Sequence, residues 1–318
     1  MDTIDFLSPF ARLLADRCPP SVVRAIDAGG ATQPLWGALE ASGYLDALMP
    51  EATGGAGLSM TEAYPLLQAL GGFAVPMPVA ETMAARALFD QAGVEPPTGP
   101  IVLAIEGNSA PAGFAKNARW ALVDDGTTLR LAALQDPDAP GVHQSGAALV
   151  PVGTAGATPP RPERGLLPLM ATLRACAIAG ASSKLLSLTV AYANDRVQFG
   201  RPVGRQQAVQ QQLAVMAEKS IACRLAAQIG CASGLHPSGF AAATAKQVTS
   251  AAAAVVANIA HAVHGAIAIS EDCDVQLYSR RLHSWRLADG SETYWARELG
   301  TARLAQPGVS SLDFVRQG

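Results

Sequence analysis

Three long stretches in the C-terminal half of the chain repeat apolar residues at steps of three and four. The repeat runs from Ile178 to Tyr192, from Val209 to Met216 and again from Val248 to Val263. This spacing places the apolar side chains on one face of an α-helix, so each stretch predicts a long amphipathic helix. Because these helices must cover one another's apolar faces, we expect a four-helix bundle completed by one or two shorter helices.

The chain before the bundle divides into two further units. Residues 1–97 alternate helix-like segments with turn signals, and Ser59 with Glu62 has the pattern of a capping box that opens a helix. Residues 98–162 change to four short apolar runs, which predict the strands of a small β unit and are separated by clusters of Gly, Pro and Asp. The runs are residues 100–106, 119–125, 128–134 and 148–152. We therefore expect a mostly α protein with a helical N-terminal domain (1–97), a small middle β domain (98–162) and a C-terminal helical bundle (163–318).

Charged residues are scarce in this chain. They make up 15% of the 318 residues, against 49% hydrophobic residues, which favours wide apolar faces buried against other subunits. The net charge of −3 gives no electrostatic reason to bind nucleic acid or an anionic membrane. We recognise no signal peptide, no uninterrupted apolar run of transmembrane length and no metal-ligand spacing among the five cysteines. These features predict a metal-free cytoplasmic protein.

A polar connector, NDRVQFGRPVGRQQAVQ (residues 194–210), separates the first two long helices of the predicted bundle. It combines arginines, glutamines and an aromatic residue with glycine and proline breaks. Taken alone, such a segment is typical of a solvated turn between helices. Two further segments accompany it, however: a Pro-Glu and Gly-Gly-x-Gly stretch between helices within residues 35–82, and a His-Gly stretch that begins residues 261–285.

Together, and in this order, the three segments resemble the acyl-CoA dehydrogenase family over nearly the whole chain. The connector is similar to that family's Arg-x-Gln-Phe-Gly signature, and residues 261–285 resemble its His-Gly-Gly segment. The resemblance implies the family's fold, an FAD cofactor, α,β-desaturation of an acyl-CoA substrate and an acceptor like electron-transfer flavoprotein. The small middle domain further resembles the short chains of α2β2 acyl-CoA dehydrogenases of bacterial steroid and cholesterol catabolism. That likeness implies a longer homologous partner chain in a heterotetramer, with self-assembly as the alternative.

The resemblance also assigns residues to the cofactor. The connector's Arg196 would meet the FAD pyrophosphate of a neighbouring subunit, because a guanidinium offers paired, charge-assisted hydrogen bonds to phosphate. His264 and Gly265 would approach the adenine half, with His261 one helical turn earlier. The residues assigned to FAD in this way are Arg196, Gln198, Phe199, Gln207, His261, His264 and Gly265.

Two departures from the family pattern favour a partial flavin site. Ala266 and Ala268 stand where the family has glycines, and their methyl groups would obstruct close backbone approach to a ligand. Residues 98–162 also lack the Thr-Glu-Pro-like loop and the Trp-x-Thr segment that hold the isoalloxazine ring in the family. The half of a flavin site that the chain lends to a neighbour is therefore better matched than the half for its own flavin.

The catalytic base has more than one candidate. The family's Glu-Gly pair aligns with Asp289 and Gly290, and aspartate reaches about 1.5 Å less far than glutamate. Glu292 is an alternative base, whereas a structural reading makes Asp289 or Ser291 the cap of the next helix. Met170 occupies the first-helix position that carries the base in other family members. The sequence therefore leaves three interpretations open: an active subunit, a catalytically silent partner subunit and a flavin-free helical scaffold.

Overall fold

The computed structural model describes residues 5–107, 114–134, 151–154 and 156–316. Within these ranges the chain forms eleven α-helices and two small sheets. The helices are α1 (Leu7–Arg17), α2 (Pro20–Asp27), α3 (Gln33–Ala41), α4 (Met60–Gly72), α5 (Val79–Gln91), α6 (Leu167–Asp195), α7 (Gln207–Cys231), α8 (Gly239–His264), α9 (Val275–Leu287), α10 (Glu292–Leu304) and α11 (Ser311–Arg316). The strands are β1 (Ile101–Ile105), β2 (Trp120–Asp124), β3 (Leu129–Leu134) and β4 (Pro151–Thr154), with the short pair β5 (Val197–Gln198) and β6 (Arg201–Pro202).

The three long helices predicted from the apolar repeat are α6, α7 and α8, and they pack against one another. α4 packs on α6 from the N-terminal part, and α9 packs on both α6 and α8. Glycines make the α4–α6 crossing close: a Cβ at Gly71 would collide with the carbonyl of Ala177, and one at Gly180 with the carbonyl of Gln68. The predicted bundle is confirmed, and α4 from the N-terminal part of the chain packs against it.

The first sheet has the order β1-β2-β3-β4, with β1 parallel to β2 and the remaining pairs antiparallel. Its strands β1, β2 and β3 coincide with apolar runs that the sequence predicted as strands. Helix α5 holds the edge of β1, because the Thr82 hydroxyl accepts a hydrogen bond from Ile101 N at 2.9 Å. The fourth predicted run, residues 148–152, overlaps the first two residues of β4, Pro151 and Val152. Residues 148–150 of this run lie outside the described residues.

The fold is mostly helical with a small sheet, as expected. The capping box at Ser59 and Glu62 is present at the start of α4. By length and composition alone, α6 and the Gly239–Ile269 run could cross a membrane, although in this structure both take part in the packed bundle. The domain boundaries at residues 97 and 162 remain predictions.

Candidate functional site

The connector between α6 and α7 is an exposed two-stranded ribbon. Strands β5 and β6 are antiparallel, with Gln198 opposite Arg201. Phe199 and Gly200 form the turn, with φ angles of 52° and 77°. Phe199 is 94% exposed, and left-handed backbone is uncommon for a bulky residue. The ribbon thus presents an aromatic ring to the surroundings from an unfavourable backbone conformation.

The polar residues assigned to the cofactor share this exposure. The side chains of Arg196, Gln198 and Gln207 are exposed, and none of them forms a hydrogen bond or ion pair with another described residue. Their backbone is nevertheless fixed, since Arg196 N donates to Tyr192 O and Val203 N donates to Arg196 O, both at 2.8 Å. The connector therefore combines an anchored backbone with side chains that are free to bind another molecule.

The predicted His-Gly segment lies beside the base of this connector. The rings of Tyr192 and His264 stack with centroids 4.2 Å apart, and the Tyr192 hydroxyl donates to the His264 carbonyl at 3.2 Å. Tyr192 is in the last turn of α6, four residues before Arg196, so two of the recognised motifs meet through it. By the apolar repeat alone Tyr192 is only a helix position, and its place in the motif YANDR is the sequence signal for this second role.

The histidines themselves are engaged in the protein. His264 is buried, its Nδ1 donates to Ala260 O at 2.8 Å, and burial lowers the pKa of its imidazole. His261 Nε2 lies 2.8 Å from the Ser279 hydroxyl. Gly265 ends α8 with φ 69° and ψ −148°, a conformation that is essentially restricted to glycine. These contacts make the His-Gly segment a rigid edge next to the connector.

The structure contains a cleft among α4, α5, α6 and α9, with about 390 Å³ of empty space, part of it open to solvent. Its walls are mainly apolar and aromatic, and two charged residues, Glu81 and Arg174, also line it. The larger apolar and aromatic wall residues include Leu67, Leu70, Met77, Leu173, Phe114 and Trp285. Asp289 is not among the described residues that line the cleft.

The predicted base Asp289 is buried in an ion pair instead. Its side-chain Oδ2 accepts a hydrogen bond from Arg174 Nε at 2.8 Å, and its carbonyl accepts one from Trp295 Nε1 at 2.9 Å. The residue is 6% exposed and has a positive φ of 56°. The carboxylate of Asp289 is therefore held by an arginine in the interior of the protein.

Arg174 connects Asp289 to a second buried acid that the sequence analysis did not identify. Its Nη2 donates to Glu81 Oε1 at 3.2 Å, while Glu81 Oε2 accepts from Leu103 N at 2.9 Å. The guanidinium carbon lies 5.6 Å from the Phe114 ring centroid and 6.0 Å from that of Trp285, within cation–π range. A single arginine inside the apolar run LMATLRACAIAG was the signal for such a buried pair.

The electrostatics of this cluster follow from its burial. Burial raises the pKa of Glu81 to about 7, with Arg174 acting against the shift and Asp289 adding to it. Burial opposes the charge of Arg174, but Asp289 and Glu81 together outweigh it and raise the pKa of the guanidinium. Arg174 is therefore firmly cationic, whereas Glu81 can gain a proton near neutral pH.

A buried lysine holds the loop that carries Asp289. Lys246 Nζ donates to Ser250 Oγ at 2.7 Å, to Arg286 O at 3.0 Å and to Gly290 O at 2.8 Å. Burial lowers the pKa of Lys246 to about 7. The loop between α9 and α10 is thus held by three hydrogen-bond donors: Lys246, Arg174 and Trp295.

The alternative base, Glu292, lies at the start of α10 and is paired with Arg286, whose Nε donates at 2.9 Å. This hydrogen bond lowers the pKa of Glu292, and a lower pKa makes a carboxylate a weaker base. The helix is capped by Ser291, whose hydroxyl accepts from Tyr294 N at 3.3 Å. Of the two capping residues considered from the sequence, Ser291 is the one that caps.

Comparisons with known proteins identify relatives of this chain. The family of the acyl-CoA dehydrogenase C-terminal domain matches residues 165–304. Acyl-CoA dehydrogenase IpdE2 of Mycolicibacterium smegmatis is 32% identical over 289 residues, which cover 86% of this chain and 89% of the relative. IpdE2 of Mycobacterium tuberculosis is 31% identical, with 86% and 88% covered.

Solved structures share the fold. The ChsE4-ChsE5 complex from Mycobacterium tuberculosis aligns with a TM-score of 0.77 and 22% identity, covering 97% of this chain and 99% of the other. A structure described as the Tcur3481-Tcur3483 steroid ACAD G363A variant also reaches 0.77, with 23% identity and coverage of 95% and 98%. The similarity extends over nearly the full length of both chains.

Proposed function

Because this chain belongs to the acyl-CoA dehydrogenase family, we propose that it is one subunit of an FAD-dependent enzyme that introduces an α,β double bond into a CoA thioester. In this proposal the chain lends the connector to a flavin held by a homologous partner, and the partner supplies the catalytic base. One observation carries the proposal: along the connector, from Arg196 through Gln198 and Phe199 to Gln207 at the start of α7, these side chains are exposed and form no hydrogen bond with another described residue.

The connector fits an FAD from another chain. Arg196 offers a free guanidinium to a pyrophosphate, and Phe199 offers an exposed ring to an aromatic system. FAD, when bound, supplies the acceptor for the hydride that leaves the β carbon. The protein's own part is to bind and orient the dinucleotide: Arg196 holds the charge, Gln198 and Gln207 donate or accept hydrogen bonds, and Gly265 with His264 forms a rigid edge.

The fit for a flavin held by this chain itself is weaker. Residues 98–162 lack the Thr-Glu-Pro-like loop and the Trp-x-Thr segment with which the family holds the isoalloxazine ring. In the cleft, Arg174 is already bonded to Glu81 and Asp289. Releasing Asp289 to act as a base would break a buried ion pair, which costs about 3–5 kcal/mol. We therefore assign the base to the partner and a supporting role to this chain.

The partner is proposed to be a longer acyl-CoA dehydrogenase chain, with a second copy of this chain as the alternative. Two of the similar structures are described by pairs of chains, and one is described as a steroid ACAD. The outer face of α7, which follows the connector directly, exposes apolar side chains that a partner could cover: Val215, Ile221, Leu225 and Ile229. A steroid-derived CoA thioester, an acceptor like electron-transfer flavoprotein and a cytoplasmic location complete the proposal.

Visible flavin absorbance tests this assignment. The chain is purified alone and after co-expression with a longer homologous chain, and each sample is also weighed by native mass spectrometry. We expect no flavin in the chain alone and flavin in a complex that contains both chains. Flavin bound by the chain alone would make it an active subunit, and no flavin in either sample would indicate a helical scaffold.

A further inference from the structure

One of the two charged residues that line the cleft, Arg174, is held by acids of the protein itself. Arg174 is 5% exposed and projects from α6 between two acids that come from distant parts of the chain. Its Nε and Nη2 are bonded to Asp289 and Glu81, and its remaining nitrogen, Nη1, forms no hydrogen bond with a described residue. Phe114 and Trp285 lie within cation–π distance of the guanidinium.

We infer that Glu81, Asp289, Phe114 and Trp285 form a binding site for a guanidinium cation, and that Arg174 is its built-in occupant. Two carboxylates with aromatic rings nearby are the surroundings that a planar cation with several donors prefers. The inference concerns the chain's own cleft and does not depend on the proposed role of the connector.

The charges of the cluster make a cation necessary at this place. Without the Arg174 guanidinium, Glu81 and Asp289 would be two buried acids with no cation bonded to either. Two carboxylates that share a dry site cannot both remain ionised easily, so an empty site would favour protons or another cation. Lys246 does not replace Arg174, because its three hydrogen bonds go to Ser250 and to the carbonyls of the 286–290 segment.

The geometry also selects the shape of the cation. A guanidinium can donate to Asp289 from one nitrogen and to Glu81 from another while remaining planar. A spherical ion or a tetrahedral ammonium lacks this fork and stacks less well on aromatic rings.

Chemical rescue of an arginine deletion tests the inference. Arg174→Ala removes the guanidinium and leaves both acids in place. The melting temperature of the full-length variant is measured with millimolar ethylguanidinium, guanidinium, tetramethylammonium or sodium chloride. We expect the two guanidinium salts to raise the melting temperature of the variant, ethylguanidinium more strongly, and to leave that of the natural chain unchanged.

One further variant and a refolding assay make the test decisive. Arg174→Ala combined with Glu81→Gln and Asp289→Asn removes the acids, and we expect it to lose the response to guanidinium. If Arg174→Ala does not fold in buffer alone, the variant is refolded in the presence of each salt, and the fraction of folded protein recovered takes the place of the melting temperature. Equal recovery with sodium or tetramethylammonium, or no recovery with any salt, would overturn the inference.

Discussion

The connector and the wall of the cleft use arginine in opposite ways. Arg196 lies on an exposed ribbon with its guanidinium free of any described partner, next to a phenylalanine that is 94% exposed. Arg174 is almost fully buried, bonded to two acids and close to two aromatic rings. The first arginine has no hydrogen-bond partner among the described residues, whereas the second uses two of its three nitrogens for contacts within the chain.

This difference indicates that the connector side chains serve to bind another molecule, whereas the Arg174 cluster serves the stability of the chain itself. An exposed arginine and phenylalanine on a fixed backbone gain little stability for the chain, so their contacts are expected with another molecule. A buried arginine between two acids contributes to the free energy of unfolding by pairing with both of them. Removing one residue of the cluster leaves a buried charge without its partner. Substitutions in the connector should therefore change binding, and substitutions in the cleft should change folding.

The largest effect is expected at Arg174. Arg174→Ala leaves Glu81 and Asp289 buried without their cation, which should lower the free energy of unfolding by about 3–5 kcal/mol. Urea denaturation of the full chain measures this loss. The matched control is Arg24→Ala, which removes a partly exposed pair with Asp274 and a hydrogen bond to the Glu271 carbonyl, and it should cost less than about 1 kcal/mol. Equal losses in the two variants would remove the contrast between buried and exposed arginines.

The next effect is expected at Glu81, as a pH-dependent change of about 3 kcal/mol in the free energy of unfolding. Folding raises the pKa of Glu81 from 4.5 to about 7, so its stabilising contribution is complete below pH 4.5 and is lost as pH rises to 7. Glu81→Gln lacks this loss, so its stability relative to the natural chain should increase between pH 5 and pH 7. Urea denaturation at several pH values measures the difference.

The titration of Lys246 does not account for the stability difference expected for Glu81→Gln between pH 5 and pH 7. Folding lowers the pKa of Lys246 from 10.5 to about 7, so its contribution is lost as pH falls from 10.5 to 7 and changes little at lower pH. A flat difference between the Glu81→Gln variant and the natural chain would mean that Glu81 remains ionised throughout.

The connector should respond in binding rather than in folding. Arg196→Ala removes one charge-assisted contact to the pyrophosphate, worth about 1.5–3 kcal/mol, or roughly 10- to 100-fold in FAD affinity. The measurement is flavin retention by the complex with the partner chain, together with urea denaturation of the variant chain alone. We expect weaker retention and unchanged stability, as for the surface control Arg17→Ala. Unchanged retention would exclude Arg196 from the flavin site.

The sequence predicted the helices better than it predicted the buried cluster. The apolar repeat located α6, α7 and α8 because the period of apolar residues is a local property of the chain. The pairs of Arg174 with Glu81 and Asp289 join residues 93 and 115 positions apart, and no local pattern encodes such contacts. α6 is also apolar around most of its circumference, so its sequence did not show which face carries a buried charge.

The residues of the candidate site also differ in how much of their surroundings the sequence predicted. The connector was visible as a polar interruption between two apolar helices, and its exposure agrees with the role that the family resemblance implies. Asp289 was selected by its position next to Gly290, but its side-chain direction depends on Arg174 and Trp295, which only tertiary packing brings to it. The roles of Arg196 and Asp289 remain predictions for experiment.

The smallest effect is expected on turnover at Asp289. If the partner supplies the base, Asp289→Asn in the flavin-loaded complex should leave turnover per bound flavin within about a factor of two, although the chain becomes less stable. A general base contributes about 100- to 10,000-fold, so a loss of that size would identify Asp289 as the base. Asp289→Glu separates the two roles further. A longer side chain restores the family's usual base, whereas in a buried pair with Arg174 it only overfills the site, so we expect lower stability and no gain in turnover.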